Sequence, residues 1–464
     1  MRGHGTNEPV QTSSQEGTDG GLPKVPVSAL ISPHILVLFI GTAYVAAVMI
    51  VNQGDPMAFV RVGSSLDPLL GSTQIGYDGQ FAFQIANDPL GAYEHLDVPA
   101  YRYQRILYPL MASVLSFGNE RLIPYVLIAI NLIALTAGTW ITGRLLHHNN
   151  LNPWYGLVFA LNVGMLMALR LDLNEPLAFL LVQVSLLYWF REEFMASAVA
   201  LALAALTKEV TLILGAGLGL SLLLRGDRRR AVVWGTIAAA PYLTYITFLR
   251  LALGSWAPQS GGALATSFQW LPYRGWWGLA QFGLDQFLLI SALIVPLAIL
   301  PSLIGIYLAG QSIVGGQRDG PTLMLGLQAL VYAFLPTSVL VDPLGISRFG
   351  IGLLTSFLVF GISTKNERVL AYTQLPILTT VFIGGDSFLP RAQNDPRLSR
   401  TRRITIFLRL FSGGWAAHHC QILTGPFQEV IHTRQAAHPP EVSRLRRVRV
   451  NFIKPKPFIK GNQG

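Results

Sequence analysis

Eleven apolar runs, most of them close to twenty residues long, leave this chain few folds to choose from. A helix needs about 20 mostly apolar residues to cross the hydrocarbon of a bilayer, and shorter ones serve where neighbours bury their ends. The runs lie at roughly 34–51, 121–146, 151–169, 175–190, 194–206, 210–224, 231–250, 286–310, 321–341, 349–364 and 369–384. Residues 194–224 divide into two, because one helix of that length would measure about 46 Å at 1.5 Å per residue. Only 12% of the 464 residues are charged, against about a quarter in a soluble domain. The fold class that follows is an all-α polytopic membrane protein of about eleven transmembrane helices, within a range of ten to twelve.

Charge placement sets the expected orientation. With the amino terminus inside, the short inner loops carry Arg144, Arg191, Arg225, Arg228, Arg229, Arg230, Arg318, Lys365 and Arg368. The short outer loops carry only Arg170, Lys208 and Arg348. Nine against three follows the positive-inside rule, and long loops cross regardless of charge. The expected location is therefore a cell membrane, multi-pass, with a cytoplasmic amino terminus. Two long loops, about 52–120 and 251–285, fall outside. The first contains RILYPLMASVLSF (105–117), too short and too Pro-interrupted to span, which is expected to be an interfacial or re-entrant helix. The second is rich in Trp and Tyr, which settle at headgroup level and also stack on sugars.

Three regions are expected: a disordered polar segment at 1–32, a membrane domain at 33–385, and a basic tail at 386–464. No cleavable signal peptide is expected before the first span. The net charge of +10 does not point to nucleic acid. Residues 391–464 hold fourteen Lys and Arg against three Asp and Glu, and the other 390 hold twenty against twenty-one. Such a tail fits a missed or extra span, an arm that binds anionic lipid, or an extension unrelated to the core. The lone Cys420 excludes a disulfide framework and any multi-cysteine metal site. There is no HExxH, Walker loop or GxSxG to support a metalloprotease, ATPase or serine hydrolase.

The charges that remain fall at span ends on the outer side. They are Asp78, Asp88, Asp97, Arg102 and Arg105 in the first loop, Asp172 and Glu175, Lys208 and Glu209, and Asp342 and Arg348. Ionisable groups near lipid are costly unless they pair or line a wet cavity. Their separate segments are expected to meet in one polar cavity. Each also has a plainer reading. Asp78 fits a helix cap ahead of Gly79, and Asp172 and Glu175 fit first-turn acids on a helix dipole. Lys208 can pair with Glu209, and Arg348 with Asp342. Asp88-Pro89 reads as a turn, and His147 and His148 as a solvated inner loop. Asp78, Asp88 and Asp97 offer oxygens suited to Mg²⁺ or Mn²⁺.

Four segments carry a family resemblance: GYDGQFAFQIA (76–86), RYQRILYPL (102–110), LNEPLAFLL (173–181) with LAALTKEVTLIL (203–214), and ISRFGIGLL (346–354). In order and spacing they resemble the GT-C superfamily of integral-membrane glycosyltransferases, above all bacterial relatives of the glycolipid-anchor mannosyltransferases. The likeness covers roughly residues 30–385. It implies inverting transfer from a polyprenyl-phosphate sugar to the hydroxyl of a lipid or glycan acceptor at the outer face. The family's first-loop acid maps onto Asp78, with Asp55 in QGDPM as a rival closer to the first span. Displacing a phosphate needs a base for the acceptor proton and a cation for the leaving group. Asp78 is the expected base, with Arg348 and Lys208 on the phosphate. Tyr77, Arg102, Arg105 and Glu175 complete the candidate substrate-binding set. A transporter or flippase for a lipid-linked solute, or a non-catalytic membrane scaffold, would use the same kinds of residue.

Overall fold

A computed structural model describes residues 32–63, 76–260, 266, 268–340 and 342–378. All of them belong to one compact unit, Met1–Gly413. The amino-terminal segment to residue 31, part of the first loop and the basic tail lie outside the described residues. Within them every regular element is helical. The helices are α1 (Pro33–Val51), α2 (Gly79–Asn87), α3 (Pro99–Tyr103), α4 (Leu107–Leu115), α5 (Ile123–His148), α6 (Val163–Arg170) and α7 (Glu175–Phe190). There follow α8 (Phe194–Thr207), α9 (Thr211–Leu224), α10 (Arg228–Leu253), α11 (Leu284–Ile294), α12 (Leu300–Val314), α13 (Gly320–Ala333), α14 (Pro343–Thr364) and α15 (Glu367–Tyr372). Single helical turns lie between several of them.

Five helices are long and apolar enough to cross a membrane by length and composition: Pro33–Val51, Ile123–His148, Arg228–Leu253, Phe287–Val314 and Leu344–Thr364. The fourth joins α11 to α12 through a π-helical turn at Val295–Ile299. Shorter apolar helices are α7, α8, α9 and α13. The protein is thus an all-α membrane protein, with exposed apolar side chains such as Phe39, Ile133, Phe248 and Leu251 along its longest helices.

Three of the expected spans differ. The one at 321–341 is helical only as α13, Gly320–Ala333, and breaks at residues 334–336 before a single turn at Thr337–Leu340. Residues 151–169 are not one helix. Pro153 starts a short 3₁₀ turn, Leu157–Ala160 makes a single helical turn, and the chain then restarts at α6. The break is caused by Asn162, whose side chain accepts from the Met165 amide and donates to the carbonyls of Val158 and Phe159. An Asx side chain competes with helical bonding in this way. The last expected span begins as the six-residue α15, and its part beyond residue 378 lies outside the described residues. The segment expected at 105–117 forms α4, which buries Tyr108, Pro109 and Ala112.

The helices pack in a continuous path: α1 on α5, α5 on α7, α7 on α8, α8 on α10, α10 on α9, α9 on α13, and α13 on both α12 and α14. Small residues allow the close approaches, as expected where lipid supplies no hydrophobic drive between helices. Gly217 of α9 lies against the Met324 backbone of α13, and Gly164 of α6 against the Ser347 carbonyl of α14. The second contact brings Arg348 beside the loop that leaves α6. Helices α7, α8 and α9 have only 16, 14 and 14 residues. At 1.5 Å per residue they measure about 21–24 Å, short of the roughly 30 Å of bilayer hydrocarbon. Their ends are sunk between longer neighbours, and polar residues collect there.

Candidate functional site

One end of the bundle gathers the carboxyl terminus of α6, the start of α7, the α8–α9 junction, the start of α14, and the first-loop helices α2, α3 and α4. Each contact has a local cause. Asn174, just before α7, donates to the Thr207 carbonyl at the end of α8 (2.7 Å) and ties the two ends together. That places Lys208 Nζ 2.7 Å from Glu175 Oε1. Asp342 caps α14 by accepting from the Leu344 amide, with Pro343 at the first helical position, so Arg348 falls on the next turn. Gly79 carries α2 onto the Leu171 carbonyl, where any Cβ would collide with backbone.

The charged groups then link hand to hand. Arg102 holds both oxygens of Asp97 (2.7 and 2.8 Å) and, with Nη1, Asp78 Oδ1 (2.9 Å). Arg348 Nη1 donates to Asp78 Oδ2 (2.8 Å) and to the Tyr77 hydroxyl (3.3 Å), while its Nε donates to Glu175 Oε1. The Tyr77 hydroxyl donates onward to Asp342 (3.4 Å). Beside this chain, Arg105 grips Glu209 with both Nε (2.9 Å) and Nη2 (2.6 Å), and Nη2 also reaches the Tyr101 hydroxyl. The guanidinium of Arg102 also lies over the Phe81 ring at 4.0 Å. Side-chain exposure falls from 30% at Asp78 to 12% at Arg348, 7% at Lys208 and nothing at Glu175. The network therefore runs from a wet edge to a dry interior.

A small open-sided cavity of about 40 Å³ lies against it, well below the roughly 300–1,000 Å³ of a preformed small-ligand pocket. Asp78, Arg102, Arg105, Tyr108, Asp172 and Arg348 are among its lining residues. Of the seven candidate catalytic and substrate-binding residues, Asp78, Arg348, Lys208, Arg102, Tyr77 and Glu175 belong to the network, and Arg105 stands beside it on Glu209. The plainer pairings within neighbouring residues do not occur. Lys208 turns to Glu175 and Glu209 to Arg105, and Arg348 turns to Asp78 and Glu175. Nor does Asp78 cap α2 with its side chain. Asp55 stands apart, exposed and bonded to the Met57 amide.

Asp88 also stands apart, with its carboxylate in its own turn, accepting from the amides of Leu90 and Gly91. Asp78 and Asp97 spend their oxygens on arginines. The three carboxylates do not fit a shared divalent cation, and among the described residues no group of three His, Cys, Asp or Glu side chains gathers.

Burial pushes the Asp78 carboxyl up, but Arg348, Arg102 and Arg105 outweigh it and hold it well below the usual carboxylate range. Glu209 is likewise raised by burial and brought down by Arg105, from an ordinary 4.5 to about 2. For Lys208, burial outweighs Glu175, and Arg348 and Arg105 add to it, lowering the ammonium from 10.5 to about 8. Depressed carboxyls contribute stability that is complete above their unfolded values and lost as pH falls through their folded ones. The contact of Glu209 is therefore expected to loosen as pH drops from 4.5 to about 2, while Asp78, held lower, keeps its arginines through that window. Amide hydrogen exchange over 76–105 in detergent would show it as rising exchange in that window. Protection unchanged down to pH 2 would mean that the Arg105–Glu209 pair does not hold the loop.

One residue of the site escaped the sequence reading of roles. Asp172 is fully buried, and neither carboxylate oxygen has a hydrogen-bond partner among the described residues. It is not a first-turn acid of α7. It follows the α6 cap residue Leu171, at φ +48°, while the Leu173 amide reaches back to the Ala168 carbonyl (2.9 Å). That is a Schellman ending, whose left-handed position usually holds glycine. The signal available in the sequence was the absence of any glycine between Arg170 and Pro176.

No protein-family model matches the chain, and neither does any curated protein or solved structure.

Proposed function

We propose that this protein is an integral-membrane glycosyltransferase that moves a sugar from a polyprenyl-phosphate donor to the hydroxyl of a lipid or glycan acceptor, with inversion. The site would face the extracytoplasmic side of a cell membrane, with the amino terminus in the cytoplasm. The observation that carries this reading is the meeting of Arg102 and Arg348 on Asp78 at one cavity, backed by Lys208 and Arg348 on Glu175 and by Arg105 on Glu209. These residues come from four distant parts of the chain.

The chemistry suits such a set. The bond between the sugar's anomeric carbon and the phosphate breaks as the acceptor oxygen attacks from the opposite side. The electron pair leaves with the phosphate, and cations placed beforehand stabilise that charge. Guanidinium groups match phosphate oxygens with two parallel donors. Arg102 and Arg348 stand on either oxygen of Asp78, so this carboxylate sets their spacing. Two such partners make Asp78 a weak base, and they favour an organising role for the first-loop acid over the proton-accepting role expected from the sequence. No step is routed through a divalent cation.

The resemblance of the four segments to bacterial GT-C enzymes supports the donor class. The position of the charges supports a fixed site over a transporter. Glu175 opens α7, Lys208 follows α8 and Arg348 lies in the second turn of α14, all at one end of the bundle and none at mid-helix.

Transfer of radiolabelled sugar from a panel of polyprenyl-phosphate sugars, in membranes, tests the proposal. The wild-type protein is expected to transfer from at least one donor. The Asp78→Asn and Asp78→Ala variants should insert normally and lose transfer, with one arginine pair unbalanced. Wild-type membranes inert toward every donor would refute the reading, and full turnover in both variants would remove Asp78 from the site.

A further inference from the structure

We infer that Asp172 is the group that takes the proton of the acceptor hydroxyl. This rests on the transferase reading and assigns within it the one acid–base role that Asp78 fills poorly.

The cavity wall contains two aspartates in opposite circumstances. Asp78 has an arginine on each oxygen. Asp172 has a partner on neither, although it is fully buried and lines the same cavity. Buried polar atoms are nearly always hydrogen-bonded, so an orphan carboxyl needs a reason. The nearest cation on its own segment, Arg170, turns away and donates to the Ala58 carbonyl (2.6 Å), with its guanidinium over the Phe59 ring. The neighbouring Tyr108 is also committed, donating to the Leu127 carbonyl (3.2 Å) and accepting from Asn131 (2.8 Å). Among the described residues Asp172 is left without a partner, in the wall of the cavity.

The backbone adds to this. A left-handed, non-glycine residue in a helix-ending motif carries strain that glycine would relieve. The Schellman ending sets a carboxyl, where glycine would leave only a hydrogen atom, in the wall of the cavity.

Burial raises the Asp172 carboxyl well above the ordinary aspartate value, and Arg170 only partly opposes it. The charged groups around the cavity are Arg348, Arg102, Arg105 and Asp78, with Tyr108 from α4. A carboxylate made more basic in this way is a better proton acceptor near neutral pH. In the step itself the acceptor O–H proton passes to an Asp172 oxygen as the acceptor oxygen bonds the anomeric carbon. The carbon–phosphate oxygen bond breaks, and polyprenyl phosphate leaves with the electron pair. Asp172 then returns its proton to water through the open side of the cavity.

Transfer by wild type, Asp172→Asn, Asp172→Glu and Asp78→Asn, measured from pH 5 to 9 beside binding of labelled polyprenyl phosphate and thermal unfolding in detergent, decides the matter. Asparagine tolerates the left-handed backbone and keeps the volume. The Asp172→Asn variant is expected to bind polyprenyl phosphate within threefold of wild type, to unfold no earlier, and to transfer at least about 100-fold more slowly. Wild-type transfer should rise with pH along an acid limb. That limb should be absent from the residual rate of Asp172→Asn and displaced in Asp172→Glu. Transfer within threefold of wild type in Asp172→Asn, or an acid limb unchanged in it, overturns the assignment while leaving the transferase reading intact. A wild-type protein that transfers nothing overturns both. Early unfolding of Asp172→Asn with weakened phosphate binding would mark a structural carboxyl and also overturns it.

Discussion

Replacing Arg348 with alanine should abolish transfer and lower stability by about 3–5 kcal/mol, the usual cost of removing one partner from a buried ion pair. Arg348 is the only described residue that bridges Asp78 of the first loop and Glu175 of α7. Without it Asp78 keeps Arg102 and Glu175 keeps Lys208, but the link from Asp78 to α7 is lost. The Arg348→Lys variant should behave much like alanine. A lysine offers one point charge, whereas Arg348 uses Nη1 on Asp78 and Tyr77 while Nε stays on Glu175. Transfer assays and thermal unfolding in detergent, run on both variants, check this. Wild-type unfolding in Arg348→Ala would show that the bridge carries no stability, and an active Arg348→Lys would show that its planar fork is dispensable.

Glu175→Ala should destabilise by a similar amount, about 3–5 kcal/mol, for the converse reason: it leaves two cations without their shared anion in a dry place. Glu175 is fully buried and Lys208 nearly so. The informative comparison is with the double variant Glu175→Gln/Lys208→Met. Removing both charges together takes away the attraction and the desolvation cost at once, so much of the lost stability should return. Unfolding of the two single variants and the double variant forms a cycle whose coupling reads the pair directly. Strict additivity would mean that Lys208 and Glu175 do not depend on one another.

Membership of the site was legible in the sequence because lipid is an unforgiving solvent. An ionisable group at the end of an apolar run needs partners, so the stranded charges of four segments had to find each other. Partner choice was not legible. Neighbours in sequence such as Lys208 and Glu209 looked like a natural pair, yet adjacent residues flanking the turn between α8 and α9 diverge, one toward α7 and the other toward α3–α4. Asp78 looked like a cap and a base; three-dimensional placement set two arginines on it instead. Asp172 looked like the opening acid of α7. Only the ending of α6, set by the Leu173 amide on the Ala168 carbonyl, shows that it belongs to the preceding helix and has no partner of its own.

The sequence by itself determined the solvent and the material: long apolar runs, broken by Pro, Gly and Asn, make helices and place charges at their ends. Local chemistry suffices for that, because backbone groups in hydrocarbon must be satisfied within each segment. The tertiary structure alone decided which side chains became partners and which, Asp172 among them, have none among the described residues. Those outcomes depend on distances across helices far apart in the chain, set by close approaches such as Gly164 on Ser347 and Gly79 on Leu171, and no periodicity within a segment encodes them.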